Sequence, residues 1–368
     1  MSCTPFRLTY DKLGILLTNS PGYKQGGSQY KNLIRVQDFT YSFSHPEVNI
    51  KEIGSDNLVM RDGESPILKQ PEVQCNINYL FCRGENERAL GFRLSSSYSI
   101  LKNFFDAYST DDINIVAVAA EGRGHTDLNL ISTDRFEGHN VIGLGNCFLT
   151  NYTYNAAIGR LPECSVSYAS SNMKFDKYDS TDKPTLPSIK LGMDNQFSPE
   201  RITLTSNSFN EKVYDNINAI MPGDIKIKIQ KFAGNYGGVP LESLEAAVQN
   251  ISINVPIKRQ DIYGFGSNYV FDRKLKLPII ASADMELIIR EFSQGQIESF
   301  FSEGAKYEII VQQDYRNYKE PVVNVMNLQI DNAQLKSQSF QNQIGGQSTT
   351  SVGFTFGVSA FEGFKMYS

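Results

Sequence analysis

Apolar and polar residues alternate along most of the chain. Phe39, Tyr41 and Phe43 are interleaved with Asp38, Thr40, Ser42 and Ser44. Val73, Cys75, Ile77 and Tyr79 follow the same rule, as do Ile225, Ile227 and Ile229 against Lys226 and Lys228. Near the end, Val352, Phe354, Phe356 and Val358 alternate with Ser351, Gly353, Thr355 and Gly357. A period of two predicts strands with one covered face. Helical spacing is rare. Over 97–108, Ile100, Leu101, Phe104, Phe105 and Tyr108 form one stripe, and over 293–303 Ile297, Phe300 and Phe301 fall on one side; both predict short helices. The expected fold is mainly β, with one short helix in each half.

The pattern repeats. Segments 146–169 and 332–355 align without a gap at an offset of 186, with identities at Asn146/Asn332, Leu149/Leu335, Ile158/Ile344, Gly159/Gly345, Ser165/Ser351 and Val166/Val352. Residues 36–40 match 248–252 at 212, residues 68–71 match 275–278 at 207, and Leu101, Phe104 and Phe105 match Ile297, Phe300 and Phe301 at 196. The order is kept and the offset falls steadily, as in a duplication whose second copy has shorter loops. Register after Pro71 and Pro278 slips by about one residue, as a bulge or an indel produces. Each copy reads strand, long hairpin, strand, helix, strand, loop and a final hairpin, turning at Ala157-Ile158-Gly159 and at Gln343-Ile344-Gly345-Gly346. One helix cannot cover both faces of such a sheet, so the strands are expected to close as a barrel or sandwich with the helix plugging one side. The expected division is a first domain at 1–180, a linker or arm at 181–200 within a proline-bearing stretch, and a second domain at 201–368.

Composition narrows the function. The 368 residues carry 35 Lys+Arg against 40 Asp+Glu, a formal charge of −5, which argues against gripping nucleic acid over the whole surface. No stretch reaches the roughly 18 apolar residues of a membrane span, and the first residues lack the pattern of a secretory signal. Cys3, Cys75, Cys82, Cys147 and Cys164 contain no CxxC pair, and three histidines offer little help toward a metal site; buried, reduced thiols are expected. Absence of Trp lowers a carbohydrate-binding adhesin reading. The run 121–127, with Glu121, Arg123, His125 and Asp127, holds acid, base and glycines but no GK[ST], and no helix starts there. Gly264-Phe265-Gly266 lacks the third glycine of a dinucleotide fingerprint. Asp111, Asp112 and Asp314 have no EF-hand spacing. No catalytic residue, cofactor or metal is expected, and the chain reads as a non-enzyme.

The segments at 34–54, 71–81, 146–173 and 338–358 together resemble the tail tube proteins of long-tailed bacteriophages, a fold shared with the type VI secretion tube. The family usually carries one tube domain per chain and builds sixfold rings; a tandem chain is similar to the duplicated tube proteins, in which three chains give a pseudo-sixfold ring. The resemblance implies a structural virion protein, assembled in the host cytoplasm, whose rings stack around a lumen that DNA crosses. Its implied partners are copies of itself, other tail proteins and transiently passing DNA, with no membrane. A distal tail or baseplate ring protein of related fold is the alternative.

Within that reading, Asp38, Thr40 and Ser42 of the first copy and Asn250, Ser252 and Asn254 of the second are expected to line the lumen. They are neutral or acidic and do not hold phosphates through counterion release. Alternation alone suits an ordinary solvated sheet face equally well. The long loop at 50–70, with Lys51, Glu52, Asp56, Arg61, Asp62 and Glu64, is expected to reach an adjacent ring or subunit, or to be a mobile surface loop. Its shorter counterpart at 258–274 keeps Tyr263, Phe265, Tyr269 and Phe271, as interface anchors or as aromatics tucked under their own domain.

Overall fold

A computed structural model describes residues 10–18, 31–44, 72–106, 113–121, 139–170, 172–178, 225–232, 242–263, 270–288, 304–317, 320–341 and 349–368. The chain is mainly β. Its first half contains β1 (Tyr10–Thr18), β2 (Lys31–Leu33), β3 (Val36–Ser44), β4 (Glu72–Leu80), α1 (Glu85–Ala89), α2 (Lys102–Asp106), β5 (Ile113–Glu121), β6 (Asn140–Ala157), β7 (Glu163–Ser170) and β8 (Asn172–Lys177). Its second half contains β9 (Ile225–Phe232), β10 (Glu242–Pro256), a β11 (Arg259–Tyr263) and β12 (Val270–Leu275) hairpin, then β13 (Ile279–Ile288), β14 (Lys306–Asn317), β15 (Glu320–Gln341), β16 (Thr349–Val358) and β17 (Phe364–Tyr367).

The antiparallel pairing in each half returns on itself. In the second half the circuit is β9–β10–β13–β16–β15–β14 and back to β9. In the first half it is β1–β2, then through Ile34 and Arg35 into β3, then β4–β7–β6–β5 and back to β1. Such closure removes edges that an open sheet leaves exposed. The registers repeat as well. Phe148 faces Ala169 and Gln334 faces Thr355, both at an offset of 186, and each ladder then bulges before Asn151 or Ser337. Val36 faces Tyr79 and Val248 faces Leu287, with a bulge at the next residue in both. Asn146 and Asn332 both take positive φ, 50° and 57°, a conformation that asparagine tolerates better than other side-chain-bearing residues.

Alternation is realised where a strand lines the core. Val73, Cys75, Ile77 and Tyr79 of β4, Ile227 and Ile229 of β9, and Val352, Phe354, Phe356 and Val358 of β16 are buried. Tyr307 and Phe354 meet edge-on at 5.4 Å in the second barrel, as Phe81 and Tyr154 do in the first. Cys75, Cys82, Cys147 and Cys164 are buried and in no disulfide. Burial pushes the Cys82 thiol up to about 12 and those of Cys75 and Cys164 well above their ordinary value, so none of these three offers a thiolate nucleophile near neutral pH.

Three expectations change. In β3, Tyr41 is 38% and Phe43 55% exposed, so the aromatic face predicted to be covered is open toward its end. Among the described residues of the stripe at 97–108, which end at 106, helix covers Lys102–Asp106 and is preceded by a tight turn in which Leu101 N–H donates to Ser99 Oγ. The stretch counterpart to the long loop is largely the β11–β12 ribbon. The second predicted helix at 293–303, the linker at 181–200, the loop at 50–70 and the turn at 343–346 lie outside the described residues.

Helix α1 carries no apolar stripe and is held by buried polar groups. Asn86 pairs both ways with the backbone of Ile34, its Nδ2 donating to the carbonyl and its Oδ1 accepting from the N–H, each at 2.8 Å. This steadies the chain where β2 passes into β3 through the positive φ of Arg35. Glu87 Oε1 accepts from the Tyr79 hydroxyl at 2.9 Å and the Tyr152 hydroxyl at 3.3 Å, with Cys164 Sγ 3.5 Å from the latter. One carboxyl thereby ties α1 to β4 and β6, and burial pushes its pKa up.

Candidate assembly interface

The two halves are joined by strand pairing. Residues 151–157 of β6 pair antiparallel with 250–256 of β10, from Asn151 opposite Pro256 to Ala157 opposite Asn250. Backbone bonds extend the seam at both ends: Ile257 N–H donates to the Thr150 carbonyl at 2.8 Å and Ile158 N–H to that of Gln249 at 2.9 Å. On one face Tyr152, Tyr154, Ile253 and Val255 are buried. On the other, Thr153 Oγ1 donates to Asn254 Oδ1 at 3.2 Å and Ser252 Oγ to Asn155 Oδ1 at 2.6 Å.

Two clamps flank the seam. The β11–β12 ribbon sends Arg259 and Arg273 over the Phe148 ring, 5.1 and 5.4 Å from its centroid, and their guanidinium groups donate to the carbonyls of Leu149 and Ala169. Asp261 pairs with Arg273 at 3.3 Å, so this buried cation has a carboxylate as well as the Ala169 carbonyl beside it. In the other direction, the segment before α2 docks on the last hairpin. Ser99 N–H donates to the Ala360 carbonyl, Ile100 N–H donates to that of Phe364, and Ser95 bridges Met366. Phe364 and Met366 are fully buried as a result.

Seam and barrels together create one sheet of eight strands in the order β3–β4–β7–β6–β10–β13–β16–β15. Register places Asp38, Asn78, Ser165, Thr153, Asn254, Ser282, Thr355 and Gln334 in a single row across it. Adjacent rows on that face carry Glu163, Asn155, Ser252, Asp284 and Gly353, then Asn250, Glu286 and Ser351. Among the described residues, no paired position on the face is Lys or Arg; the cation Lys336 sits in the β15 bulge. The side chains of Asp38, Thr40, Ser42 and Asn250 are exposed and those of Ser252 and Asn254 half-buried. The six residues singled out from sequence thus share one face of one sheet, three at its β3 end and three at its middle. Lys51, Glu52, Asp56, Arg61, Asp62 and Glu64 lie outside the described residues.

Sequence reasoning missed the seam, both of its clamps and Glu87. Residues 151–157 and 250–256 carry alternation, but alternation does not say which strand neighbours which. Among the described residues no group of three or more His, Cys, Asp or Glu side chains is placed to hold a metal ion, and no helix is long and apolar enough to cross a membrane.

Neither a protein-family model nor a curated protein sequence matches the chain. Among solved structures, the chain is similar to one described as the virion of a native gene transfer agent particle, at 13% identity and a TM-score of 0.24, over 40% of this chain and 97% of that one. It is similar to the tail of an empty gene transfer agent particle refined with C6 symmetry, at 14% identity and a TM-score of 0.24, over 38% and 96%. It is also similar to a crystal structure of Hcp protein, at 10% identity and a TM-score of 0.22, over 35% and 86%. Each likeness spans about two fifths of this chain or less, and at these scores no function follows from it.

Proposed function

We propose that the chain is a structural, non-enzymatic virion protein: a tail tube subunit whose two barrels, at 1–180 and 201–368, arose by duplication and stand in for two subunits of a ring. Rings stack, and DNA crosses the lumen without being held. The observation that carries this reading is the eight-stranded sheet with a neutral-to-acidic face running unbroken across both halves. A wall of that kind has one face for the core and one for water. Lacking paired cations, its wet face releases no counterions on meeting a phosphate backbone, so a duplex slides past it. Three chains supply about 24 strands, three times the eight of one chain, and closing a sheet of that size leaves a wide channel. Asp38, Thr40, Ser42, Asn250, Ser252 and Asn254 face that channel in this reading, and the loop bearing Lys51 to Glu64 reaches a neighbouring subunit.

The electrostatic half of the reading is tested by fluorescence anisotropy with a short duplex. Assembled native protein is expected to show no saturable binding tighter than ~10⁻⁴ M at physiological salt, the weak end of non-specific affinity. Asn254→Lys combined with Ser282→Lys, neighbours on the wet face, is expected to create binding that falls as salt rises. Micromolar, steeply salt-dependent binding by the native protein is the result that counts against a wall built for passage.

A further inference from the structure

The repeat makes the two ends of the eight-stranded sheet complementary. Inside the chain, the outer edge of β6 over 151–157 pairs with β10 over 250–256. The counterpart of that β6 edge, 186 residues on, is β15 from Ser337. The counterpart of the β10 edge, 212 residues back, is β3 from Asp38. Among the described residues, β3 over 38–42 pairs only with β4, and β15 beyond Leu335 pairs only with β16. The chain therefore carries, at opposite ends of one sheet, the two halves of a junction it has already built once in its middle.

Exposure points to the same surface. Ile253 is fully buried against β6, whereas its counterpart Tyr41 (253 − 212) is 38% exposed. Met366 is fully buried beneath the Ser95 segment; its counterpart by ladder position is Phe175, which is 54% exposed. Tyr41 and Phe175 lie against each other, ring centroids 5.6 Å apart, so the two exposures form one aromatic patch. It is the patch that the first half covers on the second half within a chain. Large aromatics clustered in this way mark an association surface rather than scattered surface residues.

We infer that β15 of one chain pairs antiparallel with β3 of the next, head to tail, repeating the β6–β10 seam. Its register follows by arithmetic: Ser252 opposite Asn155 translates to Thr40 (252 − 212) opposite Gln341 (155 + 186). The adjacent pairs are Tyr41 opposite Phe340 and Ser42 opposite Ser339. The occupant of the aromatic patch is thus a second copy of this chain, contributed by its second half. Such a contact is heterologous, so it propagates until a ring closes, and it continues the neutral-to-acidic face across every boundary. The inference deepens the ring reading above and rests on it.

Disulfide trapping in the full chain tests the register. Ser42→Cys with Ser339→Cys places two thiols directly opposite, within reach of a bridge. On oxidation it is expected to give a reducible ladder of covalent multiples. Ser42→Cys with Gln338→Cys, whose side chains point to opposite faces, is expected to give about tenfold less. Rings without a ladder, equal ladders from both variants, or a bridge closed within one chain would each overturn the pairing while leaving ring formation standing. A chain that stays monomeric at every concentration overturns both. A second readout does not depend on the cysteines: Tyr41→Lys, a charge on a strand edge of the kind that blocks strand addition, is expected to leave the monomer folded and abolish assembly in light scattering. Unchanged assembly by that variant contradicts the inference.

Discussion

Replacing Ile253 by Lys is expected to destabilise the chain by about 4 kcal/mol or more, because an unpaired ammonium is forced into a dry seam. Ile253 is fully buried, opposite Tyr154 on one side and Ala283 on the other. The same change at Tyr41, its positional twin, is expected to cost the isolated chain less than about 1 kcal/mol, since a lysine on a solvent-facing strand edge keeps its head in water. Urea denaturation of the two variants beside the native chain checks both values. Equal losses would mean that the β3 edge is already covered within the monomer, and would remove the basis for pairing between chains.

The second large effect concerns Glu87. Removing its carboxyl in Glu87→Ala leaves the Tyr79 and Tyr152 hydroxyls, both fully buried, without their acceptor. It is expected to cost about 3 kcal/mol, whereas Glu87→Gln keeps an acceptor oxygen and costs less. The pH dependence follows from the direction of the shift. Burial raises the folded pKa of Glu87 above the unfolded value of about 4.3. The stability it contributes is therefore fully present below that unfolded pKa and is lost as pH rises through the folded pKa. The stability of Glu87→Gln relative to native is accordingly expected to improve from about pH 4 upward, read as a variant urea midpoint that rises relative to the native one as pH increases. A difference that stays flat with pH would show that Glu87 ionises as readily in the barrel as in the unfolded chain.

Strand positions were legible wherever one face meets the core, because burial imposes a period of two that β4, β9 and β16 all display. The internal match at 186 carried more than similarity: it marked residues that hold the same rung, bulge and positive φ in both ladders, as Asn146 and Asn332 do. The one-residue slip after Pro71 and Pro278 also has a structural account. Val73 faces Ser170 and Ala281 faces Phe356; Ser170 and Phe356 are 186 apart, so the strands correspond at 208, one residue more than the prolines. What stayed hidden was contact between elements. Helix α1 hides because Asn86 and Glu87 are buried for their hydrogen bonds, and a polar residue looks the same in sequence whether solvated or satisfied inside. The open end of β3 misled for the converse reason. Its aromatics alternate as in a covered strand, and in the proposed ring their cover comes from another molecule.

Electron microscopy of the purified chain, with particles averaged without imposed symmetry, tests the central claim most directly. Hollow rings or short tubes are expected, each ring of three chains showing six near-equivalent lobes around an open centre. Solitary globules at all concentrations, or assemblies with no central channel, would contradict it.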